Sequence, residues 1–496
     1  MATLDRTLMA LAAATVGAGA VLGAWSGQGD IGATMKERWR DSFAESPWSA
    51  AVPLGVALGG VAIRDERRER DRGASAQSPG GPLPFAPRKP TRIVKEVQER
   101  LRAAMGKSEA DAIGACETLI SGAIHLRASD LHLSPGTDDV QVTYRVDGEL
   151  LEVVRLPLID LAPLITRFKV LSKLDTYIKN APQDGRLSAE IEGVGIEARV
   201  STLPTERGER IVLRFVRGNR EVPEINALGF SGEVSRGLAD LTARPQGLLF
   251  VTGPVGSGKT TTLYSCLQHI QRTRGRTTTL VTLEDPIEIE IPFATQTQIH
   301  AKSGMTFASA LRSVLRQDPN VLMLGEIRDR ETAEIAMQAG LTGHLIVTTV
   351  HGQSASGVFA RLIEMDVEPF LLASATLGAL SQRLVRMLCP LCKRPSAPDA
   401  TMRGRFAALG VTLGGGTFYE PGGCETCDGQ GFQGRVPIAE LLVAGDAVKN
   451  AVKARAATSE IEKIARGQSM TTLAADGARR AERGETSLLE VLRVAG

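Results

Sequence analysis

The stretch that decides the fold is residues 253–264, GPVGSGKTTTLY. An apolar run at 248–251 precedes it, and a helical pattern follows as far as Ile270. A strand, a glycine-rich loop and a helix in this order form the phosphate-binding loop G-x-x-x-x-G-K-[ST]. Its backbone N–H groups and the positive end of the helix attract phosphate groups. The stretch therefore predicts binding of a nucleoside triphosphate.

Within this loop each residue type has a predicted task. Lys259 would meet the β- and γ-phosphates, and the hydroxyl of Thr260 would bind Mg²⁺. The predicted nucleotide-binding residues are Gly253, Pro254, Val255, Gly256, Ser257, Gly258, Lys259, Thr260 and Thr261.

Three apolar runs downstream each end in an ionisable residue, as expected where a buried parallel sheet binds a ligand at its carboxyl edge. The first ends in Glu284-Asp285, and the third ends in His351. The second ends in Gly325-Glu326, a Walker B pattern whose carboxylate would hold the Mg²⁺ water shell or orient the attacking water. For His351, a phosphate contact and an ordinary structural role are both open.

Four of the six cysteines form two C-x-x-C pairs. Four thiolates can close a tetrahedral Zn²⁺ site, and closed sites of this kind are structural. A redox pair is the alternative. The predicted zinc ligands are Cys389, Cys392, Cys424 and Cys427.

The composition is that of a globular protein of two or three domains, with 496 residues and 43% apolar residues. With 58 basic and 56 acidic residues the net charge is +2, and aromatic residues are 4%. Neither a basic surface nor a base-stacking platform is indicated, so no nucleic-acid partner is expected.

The N-terminal part carries two uncharged runs, at 7–25 and 48–63. The first is long enough to cross a bilayer, and five arginines between residues 64 and 72 follow the second, as a cytoplasmic flank would. We expect a membrane hairpin or anchor within residues 7–63. A cleaved signal peptide and an interfacial or soluble helix are the alternatives.

The fold class expected from these patterns is α/β, and composition shifts divide the chain into seven parts. These are a membrane-anchoring hairpin at 1–72, a Pro/Gly/Ser-rich linker at 73–93, a mixed α/β N-terminal lobe at 94–217, an interlobe linker at 218–245, an ATPase core at 246–383, a tetracysteine module at 384–436 and a helical C-terminal region at 437–496.

From about residue 95 to the end, the motifs resemble, in order and wording, the secretion ATPases of type II secretion and type IV pilus assembly, the GspE/PilB family. The matching motifs are SDLH at 129–132, RVDG at 145–148, QDGR at 183–186, RVSTLP at 199–204, LRQDP at 315–319, GEIRD at 325–329, TGH at 342–344, the four cysteines and GETSL at 484–488.

This resemblance implies a two-lobed subunit in a homohexameric ring. A PAS-like N-terminal lobe would lend Arg186 and Arg199 to ATP·Mg²⁺ held by a RecA-like lobe. Glu326, Glu284 and His351 would carry hydrolysis. The implied partner is an inner-membrane platform protein, and the implied location is the cytoplasmic face of the inner membrane.

The sequence departs from the family pattern in two places. Gly352-Gln353 follow His351 where the family has Thr-Asn, and the apolar runs stand in place of the family's N-terminal docking domain. Direct anchoring is therefore expected. Secretion and pilus assembly both stay open as functions. A pilus-retraction ATPase, a nucleic-acid-translocating ATPase and a non-hydrolysing scaffold are the alternatives.

Overall fold

The computed structural model describes residues 92–105, 111–216, 221–300 and 303–496. The predicted membrane hairpin and nearly all of the linker at 73–93 lie outside these residues. In the part of the chain that the structure describes, no helix is both long and apolar enough to span a bilayer.

The N-terminal lobe is one antiparallel sheet of six strands with three helices. Its strand order is β3-β2-β1-β6-β5-β4. In β2, alternate side chains are buried, and the hydroxyl of Tyr144 donates to the Leu119 carbonyl at 2.6 Å, which ties the sheet to α2. The elements are α1 (Arg92–Ala104), α2 (Ala112–His125), β1 (Asp130–Pro135), β2 (Asp139–Val146), β3 (Glu149–Pro157), α3 (Leu161–Leu171), β4 (Gln183–Ile191), β5 (Val194–Thr205) and β6 (Gly208–Val216).

The second lobe is built on a seven-stranded sheet of order β15-β12-β7-β11-β10-β8-β9. Every neighbouring pair is parallel except β12 and β15. Its elements as far as the cysteines are α4 (Gly232–Thr242), β7 (Gly247–Thr252), α5 (Lys259–Arg274), β8 (Leu280–Glu284), β9 (Thr295–Gln298), α6 (Phe307–Val314), β10 (Val321–Leu324), α7 (Arg330–Leu341), β11 (Leu345–Thr349), α8 (Gly357–Glu364), α9 (Pro369–Ala375) and β12 (Thr376–Leu388).

The C-terminal part contains the cysteine module and four closing helices. A small two-stranded sheet lies within the module. The elements are β13 (Arg394–Ser396), α10 (Ala400–Ala408), β14 (Phe418–Glu420), β15 (Phe432–Val443), α11 (Asp446–Lys453), α12 (Thr458–Gly467), α13 (Leu473–Glu482) and α14 (Leu488–Ala495).

Helices and strands of the structure extend into or across the limits of two of the expected divisions. The predicted interlobe linker at 218–245 contains α4, because Val234, Leu238 and Leu241 recur at helical spacing and are buried. The predicted edges of the cysteine module, at 384 and 436, fall inside β12 and β15. The module is therefore an insertion between two paired strands of the ATPase sheet.

The N-terminal lobe contacts the C-terminal part through the turn between β2 and β3. Asp147 accepts a hydrogen bond from the Gly434 N–H at 3.0 Å and pairs with Arg435 at 3.4 Å. Glu149 pairs with Arg493 at 2.8 Å. These polar contacts hold the hairpin against β15 and α14.

Candidate nucleotide site and metal centre

The phosphate loop leaves a fully buried strand and enters a helix. All six residues of β7 are buried, and α5 begins at Lys259. The residue before it, Gly258, has φ 88°, a left-handed conformation that suits glycine. The loop therefore presents N–H groups at the start of α5, where phosphate oxygens are attracted.

Strand β12 packs against the phosphate loop and holds it through Gln382. The Gln382 side chain donates to the Ser257 carbonyl at 2.7 Å and accepts from the Thr262 hydroxyl at 2.8 Å. A Cβ added to Gly253 would lie 2.5 Å from the Gln382 carbonyl oxygen, so only glycine fits at this approach. One buried glutamine thus fixes both the loop and the first turn of α5.

The amine of Lys259 lies within the loop. It donates to the carbonyls of Gly253 at 2.8 Å and Pro254 at 3.0 Å. Burial lowers the pKa of Lys259, while the nearby negative charge of Glu326 acts to raise it. The amine and Glu326 are therefore close enough to interact electrostatically across the site.

The carboxylate of Glu326 is the centre of an ionic cluster at the carboxyl edge of the sheet. It pairs with Arg328, and its Oε2 lies 3.3 Å from His351 Nε2. Arg328 also lies 3.8 Å from Asp285. The hydrogen bond to Glu326 raises the pKa of Arg328. The structure thus brings together Glu326 and His351, which the sequence placed on separate strands.

Glu284 lies differently from what the sequence suggested. Its carboxylate is buried and accepts hydrogen bonds from the Tyr264 hydroxyl, from Thr282 at 2.6 Å and from Gln296 at 3.0 Å. Burial, and after it the Glu284 contact, raise the pKa of Tyr264. Glu284 therefore ties α5 to β8 and β9. Its neighbour Asp285 is the carboxylate that reaches the Glu326 cluster through Arg328.

The two predicted arginines lie side by side in the N-terminal sheet. Arg186 on β4 is in register with Arg199 on β5, and Arg199 is in register with Arg214 on β6. The row continues to Asp130, which pairs with Arg214 at 2.8 Å and Arg145 at 3.6 Å. Among the described residues, no hydrogen bond or ion pair joins Arg186 or Arg199 to the phosphate loop.

The four predicted cysteine ligands form one cluster whose ligand atoms all lie within 4.8 Å of one another. The Sγ atoms of Cys389 and Cys424 are 3.8 Å apart, and those of Cys392 and Cys427 are 3.6 Å apart. A tetrahedron with Zn–S bonds of about 2.3 Å has edges of about 3.8 Å. The Gly431 N–H also donates to Cys427 Sγ at 3.1 Å, as in the outer shell of a thiolate site. The donor set fits a tetrahedral metal.

Sequence reasoning missed four polar residues that the structure places around these sites. Gln382 and Arg383 interrupt an apolar run between Leu380 and Leu384, which is a readable signal for a buried polar task. Arg214 carries no such signal, because only strand pairing shows that it faces Arg199, and for Arg328 only the ion pair shows that its side chain turns to Glu326.

Comparison with known proteins matches residues 107–493 to the family described as type II/IV secretion system protein. Type II secretion system protein E of Dickeya dadantii is 43% identical over 391 residues, which cover 78% of this chain and 76% of that protein. Type IV pilus assembly ATPase PilB of Thermus thermophilus is 41% identical over 398 residues, 80% of this chain. The chain spans only 44% of the Thermus protein's length.

Among solved structures, the Legionella pneumophila ATPase DotB shares the fold. The TM-score is 0.54 at 21% sequence identity, and the match covers 76% of this chain and 94% of DotB. A fold with a phosphate loop at the start of α5 and an acidic cluster at the same sheet edge agrees with the family match. The chain belongs to the type II/IV secretion system protein family and is a P-loop ATPase.

Proposed function

We propose that the chain is an ATP-hydrolysing motor that powers type II protein secretion or type IV pilus assembly at the inner membrane. The observation that carries the proposal is the Glu326–His351 pair lying at the sheet edge beside Lys259, in a chain matched to the family over residues 107–493. A binding scaffold would not need a carboxylate and a histidine beside the phosphate loop.

The proposed chemistry assigns a role to each side chain of the site. Lys259 and the loop N–H groups bind the β- and γ-phosphates, where developing charge is stabilised electrostatically. Thr260 and Glu326 would hold Mg²⁺, which supplies further positive charge at the phosphate oxygens. Glu326 orients the attacking water and accepts its proton, and His351 orients the Glu326 carboxylate through the 3.3 Å contact. Glu284 acts as a positioning residue for the start of α5.

The arginine row supports a ring of identical subunits. Arg186 and Arg199 lie on adjacent strands and form no ion pair among the described residues. Guanidinium groups in such a row suit the phosphates of a nucleotide held across a cleft. In the proposed hexamer, the PAS-like lobe supplies these arginines, and an inner-membrane platform protein receives the motion. The runs at 7–25 and 48–63 would hold the chain at the membrane, which carbonate extraction can check.

The experiment that tests the function places Lys259→Ala in the chromosome of the host. We expect loss either of surface filaments or of secreted proteins, because phosphate binding depends on this amine. Loss of filaments alone identifies a pilus assembly motor, and loss of secreted proteins alone identifies a secretion motor. A strain carrying Lys463→Ala, at an exposed position of α12, is the control. Loss of neither product would contradict the proposal.

Zinc is the metal we propose for the cysteine cluster, in a structural role. We expect the purified chain to contain about one zinc per subunit, and Cys424→Ser to remove it, since a closed site needs all four thiolates. Metal content by mass spectrometry is the measurement. Cys116→Ala, at a buried cysteine outside the cluster, should keep its zinc. Disulfides within the two C-x-x-C pairs and no bound metal would support the redox alternative instead.

A further inference from the structure

Arg383 on β12 is a half-buried cation with only neutral partners. Its guanidinium donates to the Gln382 carbonyl at 3.0 Å, to the Ser381 hydroxyl at 3.4 Å and to the Gln353 carbonyl. Within the described ranges, no carboxylate lies at ion-pair distance from it. Burial lowers the pKa of Arg383, because it penalises the charged form, while the negative charge of Glu440 acts to raise it.

Arg383 also lies against the phosphate loop. The Gln382 carbonyl oxygen that accepts from Arg383 is the atom packed against Gly253, at 2.5 Å from the position of an added Cβ. The Gly253 carbonyl in turn accepts from Lys259. The positive charge of Arg383 is close enough to lower the pKa of Lys259, beside the larger effect of burial. The guanidinium is therefore a second cation at the phosphate site.

The third partner of Arg383, the Gln353 carbonyl, lies in the loop that follows His351. This loop carries Gly352-Gln353, where the sequence departs from the family pattern. The Gly352 carbonyl accepts from Thr252 at 2.9 Å, just before the phosphate loop. Three residues on, the Ala355 N–H donates to Glu440 at 2.7 Å. The loop thus joins the nucleotide site to β15.

We propose that Arg383 binds the terminal phosphate of ATP and reports its presence to the loop at 351–356 through the Gln353 carbonyl. A phosphate oxygen offers Arg383 a formal counter-charge, and charge-assisted hydrogen bonds are about twice as strong as neutral ones. Binding of ATP therefore weakens the hydrogen bond from Arg383 to the Gln353 carbonyl. ADP lacks the terminal phosphate and leaves this hydrogen bond in place. Glu440 links a movement of this loop to α13, because one carboxylate oxygen accepts from the Ala355 N–H and the other accepts from the Leu473 N–H at 3.3 Å, at the start of that helix.

This inference rests on ATP hydrolysis at the site and is independent of whether a filament or a secreted protein is moved. The test compares wild type, Arg383→Ala and Arg383→Lys for binding of ATPγS and ADP, with hydrogen exchange followed in residues 351–356. We expect Arg383→Ala to weaken ATPγS binding about ten- to hundredfold while ADP binding changes little, because a charged hydrogen bond to the terminal phosphate is lost.

Hydrogen exchange in residues 351–356 distinguishes an Arg383 that senses the terminal phosphate from an Arg383 with only a structural role. In wild type it should be faster with ATPγS than with ADP, and in Arg383→Ala the two should be equal. Arg383→Lys keeps the positive charge but loses the paired N–H donors of the guanidinium. It should therefore retain part of the preference for ATPγS over ADP. Arg361→Ala on the exposed face of α8 is the matched control. Equal loss of ATPγS and ADP binding, or an unchanged preference, would overturn the inference. A wild type that hydrolyses no ATP would instead overturn the proposed function.

Discussion

Glu326→Gln is expected to lower kcat for ATP hydrolysis by about 10²- to 10⁴-fold, the usual contribution of a positioned base. Glutamine keeps the shape of the side chain and can still accept from Arg328, but it takes no proton from water. ATP binding should be retained, because Lys259 and the loop N–H groups are unchanged and a negative charge near the phosphates is removed. Phosphate release and binding of a fluorescent ATP analogue measure the two effects separately.

The control for this substitution is Glu334→Gln, which removes a carboxylate paired with Arg330 on α7. Its turnover should match wild type, because an exposed pair of this kind contributes little. If Glu326→Gln kept more than about a tenth of wild-type turnover, the loss would be less than tenfold. A positioned base usually contributes at least about 10²-fold. Glu326 would then lose its assigned role, and Asp285 would become the carboxylate to test.

The second large effect concerns stability. Glu490 on α14 is buried and accepts from the Arg386 side chain at 3.1 and 2.7 Å and from Arg493 at 2.8 and 2.6 Å. Glu490→Gln would leave the buried Arg386 guanidinium without its counter-charge. We expect the free energy of unfolding to fall by about 3–5 kcal/mol, as for other broken buried pairs. Urea unfolding followed by circular dichroism at pH 7 measures the loss.

The effect should also depend on pH. Burial acts to raise the pKa of Glu490, but hydrogen bonds from Arg493 and Arg386 outweigh burial and lower it to about 2. Since the pKa of a glutamate in the unfolded chain is about 4.3, the stabilisation from this pair is complete above that pH and is lost as the pH falls toward 2. The difference in the free energy of unfolding between wild type and Glu490→Gln should therefore become smaller as the pH is lowered.

A matched control is Glu364→Gln, which breaks an exposed pair with Arg361 at 3.5 Å. We expect a change of at most about 1 kcal/mol in the free energy of unfolding, with little dependence on pH. Equal unfolding midpoints for Glu490→Gln and wild type would mean that the Arg386 charge is relieved in another way, and α14 would not be held by this pair.

Strand β12 connects the features on which these predictions depend. Gln382 braces the phosphate loop, Arg383 reaches the loop after His351, and Arg386 pairs with Glu490. The strand then leads directly to Cys389, the first ligand of the cysteine cluster. One strand therefore contacts the phosphate loop and the C-terminal helix and leads into the cysteine cluster.

Much of the ATPase lobe could be predicted because its signals are local. The phosphate loop is defined by consecutive residues, and fully buried parallel strands appear as short apolar runs. The hairpin of β2 and β3 is equally local, since its alternating burial and the Asp147-Gly148 turn lie within consecutive residues.

The roles of particular polar residues were decided by pairings between distant parts of the chain. Glu284 and Asp285 are adjacent, yet one is held by Tyr264, Thr282 and Gln296 while the other faces Arg328. In an extended chain, successive side chains point to opposite sides, so a pair of carboxylates does not disclose which one faces the site.

The sequence by itself predicts a nucleotide-binding loop at 253–261, places acidic and histidine residues at the ends of the neighbouring strands, and shows that four cysteines can form one metal centre. These are properties of residues close together in the chain, or of ligand types that chemistry restricts. Only the tertiary structure decided that β12 and β15 belong to the ATPase sheet, and that Arg383 lies against the phosphate loop through the Gln382 carbonyl. Those contacts join distant parts of the chain, such as Leu388 with Phe432 and Ser381 with Thr252, and no local pattern records them.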